Sequence, residues 1–235
     1  MVSFIISLYC IFIAVIGMLV IMLISIALSY FISDNKMDIF LKIAFRILIN
    51  LLFVKVKVEG VEKLEKQMNY VFIPNHQSFF DGFTLHAFLP NHLRGIEIDF
   101  HFNWFIYGKF LKIAGNIPIN PNSIKDSLIS IKKAAEIMKM GKSYVIFPEG
   151  ERSQTGKIGE FKRLPFMLAQ EANAPIVPVA LIGFQELMPA GTWRIKPRTV
   201  IIRIGEIINP DEIKRIGTKE IVNYTRNKIL NLYRQ

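Results

Sequence analysis

Residues 70–81, with the sequence YVFIPNHQSFFD, join an apolar run to a polar turn that holds a histidine and an aspartate five positions apart. Positions five apart diverge by about 140° around a helix of 3.6 residues per turn, so His76 and Asp81 cannot meet on one continuous helix. We therefore predict that a strand ends at Pro74 and that a helix begins near Ser78, with Asp81 in its first turns. This turn would place an imidazole beside a carboxylate at the carboxyl end of a strand, where open α/β sheets bind ligands.

The spacing alone is weak evidence for a site, because His92 and Glu97 are also five positions apart. His92 lies in a polar connector with no apolar strand before it, so we interpret it as a solvated loop histidine. His86 and His101 receive the same interpretation. For His76 taken by itself, a hydrogen-bonded turn histidine without a chemical role is the alternative.

A second motif, FPEGERS at residues 147–153, directly follows the apolar run SYVI. A proline ends strand pairing, and Gly150 permits a backbone conformation that other residues rarely adopt. Arg152 is left at a strand end, where its planar guanidinium suits a phosphate group, and Glu149 is placed to hold that guanidinium. A polar turn with a surface ion pair is the alternative for this motif.

From residue 53 onward, short apolar runs alternate with helical patterns, which is typical of an α/β fold. The predicted strands cover residues 54–59, 70–73, 94–98, 117–119, 144–147, 176–181 and 199–204, and the predicted helices cover 123–140, 162–171 and 219–233. We expect an α/β domain with a mixed sheet flanked by helices.

The first 33 residues contain no charged side chain, and the apolar run from Phe4 to Ile32 is longer than the roughly 20 residues that cross a bilayer core. We predict an N-terminal membrane-embedded helical segment that crosses the bilayer or folds back, with Gly17 as the candidate break. A cleaved secretory signal is the alternative, since residues 27–29, Ala-Leu-Ser, offer small residues at the spacing of a cleavage site. However, no basic side chain precedes the run, and the run exceeds the usual length of a signal core.

The next stretch, residues 37–54, carries Lys42 and Arg46 four positions apart among apolar residues. Both cations therefore share one face of a helix, which predicts a helix lying in the membrane interface. An ordinary core-packed helix is the alternative. We expect two regions: a membrane-anchoring helical region at 1–54 and one α/β domain at 55–235.

The net charge is +10, all of it after residue 33, and 51% of the 235 residues are hydrophobic. Basic proteins of this kind bind nucleic acid or an anionic membrane surface. The sequence shows no nucleic-acid-binding motif, so we expect an anionic phospholipid membrane as the partner and no nucleic acid. The positive-inside rule places the basic domain on the cytoplasmic side of a cytoplasmic membrane. The single cysteine, Cys10, lies in the apolar run, so we expect no disulfide and no metal site.

Together the two motifs resemble those of the glycerophospholipid acyltransferase superfamily, most closely the 1-acyl-sn-glycerol-3-phosphate acyltransferases. Asn75, His76 and Asp81 match the family's Asn-His-x-x-x-x-Asp motif, and residues 147–153 match Phe-Pro-Glu-Gly-Thr-Arg-Ser at six of seven positions. Further segments resemble the family in the same order, so the resemblance covers roughly residues 54–210. These segments are 58–64, 156–162 and 174–180.

Several positions depart from the family pattern. Residues 115–121, GNIPINP, stand where the family has Gly-x-Ile-x-Ile-Asp-Arg, so the usual aspartate and arginine are missing. One phosphate contact of the family is therefore in doubt, and Lys125 is the candidate substitute. In addition, Glu151 replaces the family's threonine, and residues 164–165, Leu-Pro, replace a Gly-Ala pair.

The resemblance implies a membrane-bound enzyme that moves a fatty acyl group from acyl-CoA or acyl carrier protein to the sn-2 hydroxyl of 1-acyl-sn-glycerol 3-phosphate, giving phosphatidic acid. His76 would be the general base and Asp81 would orient it, and no cofactor is expected. Because the chain lacks Gly-x-Ser-x-Gly, direct attack by the acceptor fits better than an acyl-enzyme. The expected substrate-binding residues are Asn75, Glu149, Gly150, Arg152, Ser153, Lys125, Lys162 and Pro178.

Two alternatives stay open. A related acyltransferase would use another acceptor, either glycerol 3-phosphate or a lysolipid without a phosphate, and would share the same histidine and aspartate. A non-catalytic lipid-binding protein is the other alternative. It would have no chemical reason to keep both motifs intact at strand ends.

Overall fold

One seven-stranded sheet forms the centre of the computed structural model, which describes residues 2–234. Its strands are β1 (Lys55–Glu59), β2 (Val71–Pro74), β3 (Leu93–Ile98), β4 (Ile117–Ile119), β5 (Ser143–Val145), β6 (Ile176–Ile182) and β7 (Thr199–Ile204). Their order across the sheet is β1-β7-β6-β2-β5-β3-β4. The β6–β7 pair is antiparallel and the other pairs are parallel, so the predicted mixed sheet is confirmed.

Helices cover both faces of this sheet. They are α1 (Val2–Leu28), α2 (Asp34–Leu51), α3 (Asp81–Phe88), α4 (Tyr107–Ile113), α5 (Ile124–Met138), α6 (Leu164–Glu171), α7 (Phe184–Leu187), α8 (Pro210–Ile216) and α9 (Glu220–Arg234). Alternate side chains of a strand point to opposite faces, so β6 sends Val177 and Val179 into one core and Ile176 and Ala180 into the other. The first core packs against α1 to α4, and the second against α5, α6, α8 and α9.

The three predicted helices lie within two residues of their expected bounds, but α3 begins at Asp81 rather than near Ser78. The side chain of Asp81 accepts hydrogen bonds from the backbone N–H groups of Gln77 and Ser78. Those bonds hold the preceding residues in a turn, so the helix starts later. Helices α4, α7 and α8 were not predicted, because four to seven residues are too short for a clear helical period.

Gly17 does not break α1, which is continuous from Val2 to Leu28. A Cβ atom at Gly17 would lie 2.5 Å from Cδ1 of Leu48, so the glycine allows α1 and α2 to pack closely. The Sγ atom of Cys10 lies 3.8 Å from the carbonyl oxygen of Leu52, which shows that the two helices run antiparallel. The chain reverses direction after Leu28, and the expected break at Gly17 was wrong.

The basic face of α2 packs against the protein. Nζ of Lys42 donates to the carbonyl oxygens of Pro90, at 3.0 Å, and Asn91, at 2.8 Å. Nε of Arg46 donates to the carbonyl oxygen of Ala87 at 2.6 Å. These cations satisfy carbonyl groups at and beyond the C-terminal end of α3, where a helix leaves its acceptors unpaired. The prediction that this face lies in the membrane interface was wrong, and the core-packed alternative describes it.

Large apolar side chains are instead exposed on the other side of α2 and along α1. By length and composition alone, Ser3–Leu28 would be able to cross a membrane. The exposed positions of α2 recur every four residues, as expected for one helix face. The most exposed of these residues are Phe4, Ile5, Leu8, Phe12, Val15, Ile16, Val20 and Leu23 on α1, and Ile39, Ile43, Ile47 and Leu51 on α2. We call these side chains the apolar face of α1 and α2.

His92 is not the solvated loop histidine that the sequence suggested. Nζ of Lys142 lies 2.9 Å from its Nδ1, and a carboxylate oxygen of Asp34 lies 3.7 Å from its Nε2. The pKa of His92 is lowered to about 4, mainly because the imidazole is buried. The residue lies in a loop as expected, but the N-terminus of α2 covers that loop. Glu97 pairs with His101 rather than with His92, at 2.9 Å.

Candidate active site

His76 and Asp81 meet across the turn between β2 and α3. Nδ1 of His76 lies 2.8 Å from Oδ2 of Asp81, which is fully buried. The same oxygen accepts hydrogen bonds from the N–H groups of Gln77 at 2.6 Å and Ser78 at 2.9 Å. The structure thus brings together the pair that the spacing predicted, and three donors fix the position of the carboxylate.

The other ring nitrogen of His76 is left available for chemistry. An ionised Asp81 requires a proton on Nδ1, so Nε2 carries the lone pair. Within residues 2–234 no side chain or backbone group forms a hydrogen bond to Nε2. Phe147 stacks on the imidazole with ring centroids 3.9 Å apart and fixes the plane of the ring. With the side chain 21% exposed, Nε2 can accept a proton from a bound hydroxyl group.

We expected Glu149 to hold the guanidinium of Arg152, but the two side chains form no ion pair in the structure. Its Oε1 accepts a hydrogen bond from the backbone N–H of His76, and its Oε2 accepts one from the N–H of Gly159, both at 2.8 Å. Burial raises the pKa of the Glu149 carboxyl above its ordinary value, and the two N–H donors oppose that rise. Glu149 is 8% exposed, and its two hydrogen bonds clamp the loop at Gly159 to the turn that contains His76.

Asn75 is fully buried and also has a supporting role. Its Nδ2 donates to the carbonyl oxygen of Leu181 at 3.1 Å, and its Oδ1 accepts from the N–H of Leu181 at 2.7 Å. The amide therefore imitates one more step of strand pairing between β2 and β6 after Pro74. Because both ends of the amide are occupied, the structure leaves Asn75 no free polar group for the expected contact with substrate.

Pro178 faces away from the site. It lies in β6 on the side of Ile176 and Ala180, which belong to the core packed against α5, α6, α8 and α9. A Cβ atom at Gly205 would lie 3.5 Å from Cβ of Pro178 and 2.7 Å from Cδ1 of Leu232, so this ring lies on the side of the sheet that α9 covers. The strand alternation directs this position into that core, so the structure gives the expected substrate contact no support.

Lys125 lies in the first turn of α5 and is exposed. This helix follows β4, whereas His76 follows β2. The two strands are three positions apart in the sheet order, so β4 and β2 lie about 14 Å apart. The structure does not bring Lys125 to the turn that contains His76, and its proposed replacement of the missing family arginine has no structural support.

Gly150 of the second motif and Lys162 form one compact unit. Gly150 has a φ of +78°, which favours glycine. A Cβ atom there would lie 2.5 Å from Nζ of Lys162, so glycine also makes room for the ammonium group. The N–H of Lys162 donates to the carbonyl oxygen of Pro148 at 2.8 Å, which holds the lysine over the turn.

Ser153 links the two motifs, and Arg152 beside it is free. The N–H of Ser153 donates to the carbonyl oxygen of His76 at 2.8 Å, and its Oγ donates to the carbonyl oxygen of Lys157 at 2.7 Å. Ser153 is thus a link between loops. Among the described residues, the partly exposed guanidinium of Arg152 has no hydrogen bond or ion pair, so its five N–H donors are available to an anion.

Several residues that support this site were not indicated by any sequence pattern. Gln77 is buried and donates from Nε2 to the carbonyl oxygen of Gly156 at 3.0 Å, and the hydroxyl of Tyr233 lies 3.4 Å from the same amide. The backbone N–H of Gly159 completes the Glu149 clamp. Only Phe147 had a signal, as the first residue of the second motif. In residues 2–234, no group of three or more His, Cys, Asp or Glu side chains is arranged to hold a metal ion.

Comparisons with known proteins agree with this geometry. A family model described as Acyltransferase matches residues 55–182, which is more than half of the chain. The chloroplastic 1-acyl-sn-glycerol-3-phosphate acyltransferase LPAT1 of Arabidopsis thaliana is 33% identical over 141 residues, covering 60% of this chain and 39% of that protein. The 1-acyl-sn-glycerol-3-phosphate acyltransferase of Saccharomyces cerevisiae is 28% identical over 184 residues, covering 77% of this chain and 60% of that protein.

The chain therefore matches less than two thirds of the length of these two relatives. The fold is also similar to a crystal structure of the 1-acyl-sn-glycerophosphate acyltransferase PlsC from Thermotoga maritima. The TM-score is 0.81 at 23% identity, over 97% of this chain and 94% of that chain. The family resemblance read from the sequence is confirmed, and this chain belongs to the Acyltransferase family.

Proposed function

We propose that this protein transfers a fatty acyl group from acyl-CoA or acyl carrier protein to the sn-2 hydroxyl of 1-acyl-sn-glycerol 3-phosphate, giving phosphatidic acid. The observation that carries this proposal is the buried Asp81 carboxylate on Nδ1 of His76, with Arg152 in the second motif and Lys162 beside Gly150 of that motif. A base and two free cations suit an acceptor that has both a hydroxyl and a phosphate group. The names of the similar proteins support the same acceptor.

In the proposed reaction His76 acts as the general base. Nε2 removes the proton of the acceptor hydroxyl while the hydroxyl oxygen attacks the thioester carbonyl carbon. When the tetrahedral intermediate collapses, the carbon–sulfur bond breaks and the thiolate takes the proton back from Nε2. Asp81 keeps the proton of Nδ1 in place and stabilises the imidazolium that forms. No covalent acyl-enzyme is needed, and no cofactor takes part.

A thiol-release assay with both donors and a panel of acceptors tests this proposal. We expect release that requires 1-acyl-sn-glycerol 3-phosphate, with phosphatidic acid detected as the lipid product. The panel includes glycerol 3-phosphate and lysolipids without a phosphate. Thiol release with one of those acceptors, and none with 1-acyl-sn-glycerol 3-phosphate, would contradict the proposed acceptor but not the proposed acyl transfer.

Binding of the acceptor's phosphate group should depend on Arg152. Replacing Arg152 with alanine removes a charge-assisted contact of about 1.5 to 3 kcal/mol, so kcat/KM for the acceptor should fall about ten- to a hundredfold. The KM of the thioester should change far less. Arg152→Lys should restore only part of the loss, since an ammonium group cannot reproduce the planar fork. Steady-state kinetics with each substrate varied in turn gives these values.

The matched control is Arg215→Ala, which removes an equal charge from an exposed arginine in the last turn of α8. This control should leave both kinetic constants close to those of the wild type. If Arg152→Ala raised the thioester KM and spared acceptor kcat/KM, Arg152 would belong to the donor site instead.

The exposed apolar face of α1 and α2 supports a membrane location for the enzyme. We propose that residues 1–54 anchor the protein through the apolar face of α1 and α2, and that residues 55–235 form the catalytic domain on the cytoplasmic side of a cytoplasmic membrane. The support is the exposed apolar face together with the net charge of +10, which favours anionic phospholipids. Both the acceptor and the product are lipids, so this location keeps the site close to its substrate.

Charged residues on the apolar face should weaken membrane attachment. A carboxylate inside the apolar part of a bilayer costs about 2.5 to 3.5 kcal/mol, so the double variant Phe12→Glu, Ile43→Glu should shift most of the protein out of anionic vesicles in a flotation assay. Truncation of α1 is a poorer test, because Cys10 and Ala14 belong to the core that packs against the sheet.

The control for this experiment is Ile129→Glu, which changes an equally exposed isoleucine on α5, on the opposite face of the sheet. It should float like the wild type. Equal flotation of the Phe12→Glu, Ile43→Glu variant and the wild type would contradict the proposed anchoring face.

A further inference from the structure

The C-terminal helix α9 contacts the loop that follows the second motif. Nε of Arg226 donates to the carbonyl oxygen of Gly159 at 2.6 Å, and its Nη2 donates to the carbonyl oxygen of Ile158 at 2.9 Å. This helix lies outside residues 55–182, the part of the chain that the family model matches. A single guanidinium therefore holds two consecutive carbonyl groups of a loop in the catalytic domain.

The same loop is bonded to the site from its other side. The N–H of Gly159 donates to Oε2 of Glu149 at 2.8 Å, and Oε1 of Glu149 accepts from the N–H of His76 at 2.8 Å. A displacement of Gly159 would therefore remove one of the two donors of a buried carboxylate. That carboxylate would then lose its fixed position beside the backbone of His76.

Helix α9 is itself firmly fixed, so Arg226 can serve as a rigid support. Its residues Ile221, Thr225 and Ile229 are buried on the face that packs against the domain. At its C-terminal end, Nη1 of Arg203 donates to the carbonyl oxygen of Leu232 at 2.6 Å, which satisfies an acceptor that the helix leaves free. Helix α9 is therefore attached to the sheet through Arg203 and to the loop through Arg226.

We infer that Arg226 is a positioning residue for acyl transfer, which holds the loop at Ile158 and Gly159 and acts through Glu149 on the turn that carries His76. The inference rests on the proposed function for its kinetic consequence, but the contact with the loop does not. Because Arg226 touches no reacting atom, its loss should lower kcat by disturbing the base, with little effect on the thioester KM.

The first test measures the loop without any substrate. Lys157 is exposed within this loop, so limited trypsin digestion reports how well the loop is held. Arg226→Ala should be cut after Lys157 about tenfold faster than the wild type, because the free energy of local opening falls when two hydrogen bonds are lost. Arg226→Lys should lie between the two, since one ammonium group replaces one of the two donors. The control Asn227→Ala, at the next and exposed position of α9, should be cut at the wild-type rate.

The second test measures the link to the site. We expect Arg226→Ala to lower kcat about tenfold, with the thermal midpoint measured for every variant so that only folded protein is compared. In a double-mutant cycle with Glu149→Gln, the two losses should not multiply, because both changes break the same clamp. A merely structural arginine would instead lower the midpoint and leave kcat unchanged.

The inference would be overturned if trypsin cut Arg226→Ala after Lys157 at the same rate as the wild type. It would also be overturned if the kcat losses of Arg226→Ala and Glu149→Gln multiplied fully in the double variant. Failure of the proposed function has a different signature. A wild-type protein that releases no thiol with any acceptor would overturn the proposed function, whereas the trypsin comparison would still decide whether Arg226 holds the loop.

Discussion

His76→Ala is expected to lower kcat by about 10² to 10⁴, the usual contribution of a positioned general base. The acceptor hydroxyl would lose the only group in the described site with a free nitrogen lone pair held in place by a buried carboxylate. The fold should survive, since the imidazole is partly exposed and its single side-chain hydrogen bond is to Asp81. Thiol release measured on protein with wild-type circular dichroism and vesicle binding gives the effect.

The chain offers a close control for this experiment. His101 and Glu97 form a second histidine–carboxylate pair, with Nδ1 of His101 2.9 Å from Oε1 of Glu97. His101→Ala removes an imidazole of the same chemistry from a pair outside the proposed site, and kcat should remain near the wild-type value. A folded His76→Ala variant that kept near-normal turnover would rule out His76 as the base.

The sheet was predictable from the sequence because each strand is a short apolar run between polar turns. β4 and β7 occur with the expected bounds, and the other strands differ by one or two residues at an end. The turn at His76 was predictable for a similar local reason. Its two partners lie five positions apart, so the geometry of a short segment determines whether they can meet.

The roles of Asn75 and Glu149 were not predictable, because each depends on a partner that the chain pattern does not indicate. Asn75 pairs with Leu181 of β6, and Glu149 reaches the N–H of Gly159 in a later loop. A sequence motif shows that such residues occur together but not whether a carboxylate faces a guanidinium or two backbone N–H groups. Burial explains why Glu149 bonds two backbone N–H groups, since a buried carboxylate needs donors from the protein itself.

The cations of α2 show a similar limit. The positions of Lys42 and Arg46 on an apolar helix suit both a lipid headgroup and the carbonyl groups at the end of another helix. Both environments offer oxygen acceptors at the border of an apolar surface. The choice depends on α3, whose final carbonyl groups happen to lie beneath this face of α2. Only the tertiary arrangement separates the two interpretations.

Asp81→Asn should lower kcat by about 10² to 10⁴ while leaving both KM values nearly unchanged, because the change removes charge rather than bulk. The amide oxygen can take the position of Oδ2 and still accept from the N–H groups of Gln77 and Ser78. The amide NH₂ then takes the place of Oδ1, a buried atom with no hydrogen-bond partner among the described residues. The turn is kept at a cost of about 1 to 3 kcal/mol for the unsatisfied amide.

The chemistry should suffer far more than the fold, since a neutral amide cannot balance the imidazolium that forms when His76 takes the hydroxyl proton. Steady-state kinetics together with thermal unfolding separates these two effects. Asp126→Asn is the control, because Asp126 is an exposed aspartate in the first turn of α5 and its loss removes an equal charge. If folded Asp81→Asn kept kcat within threefold of the wild type, Asp81 would serve the turn alone, and the stacking of Phe147 would be what orients the base.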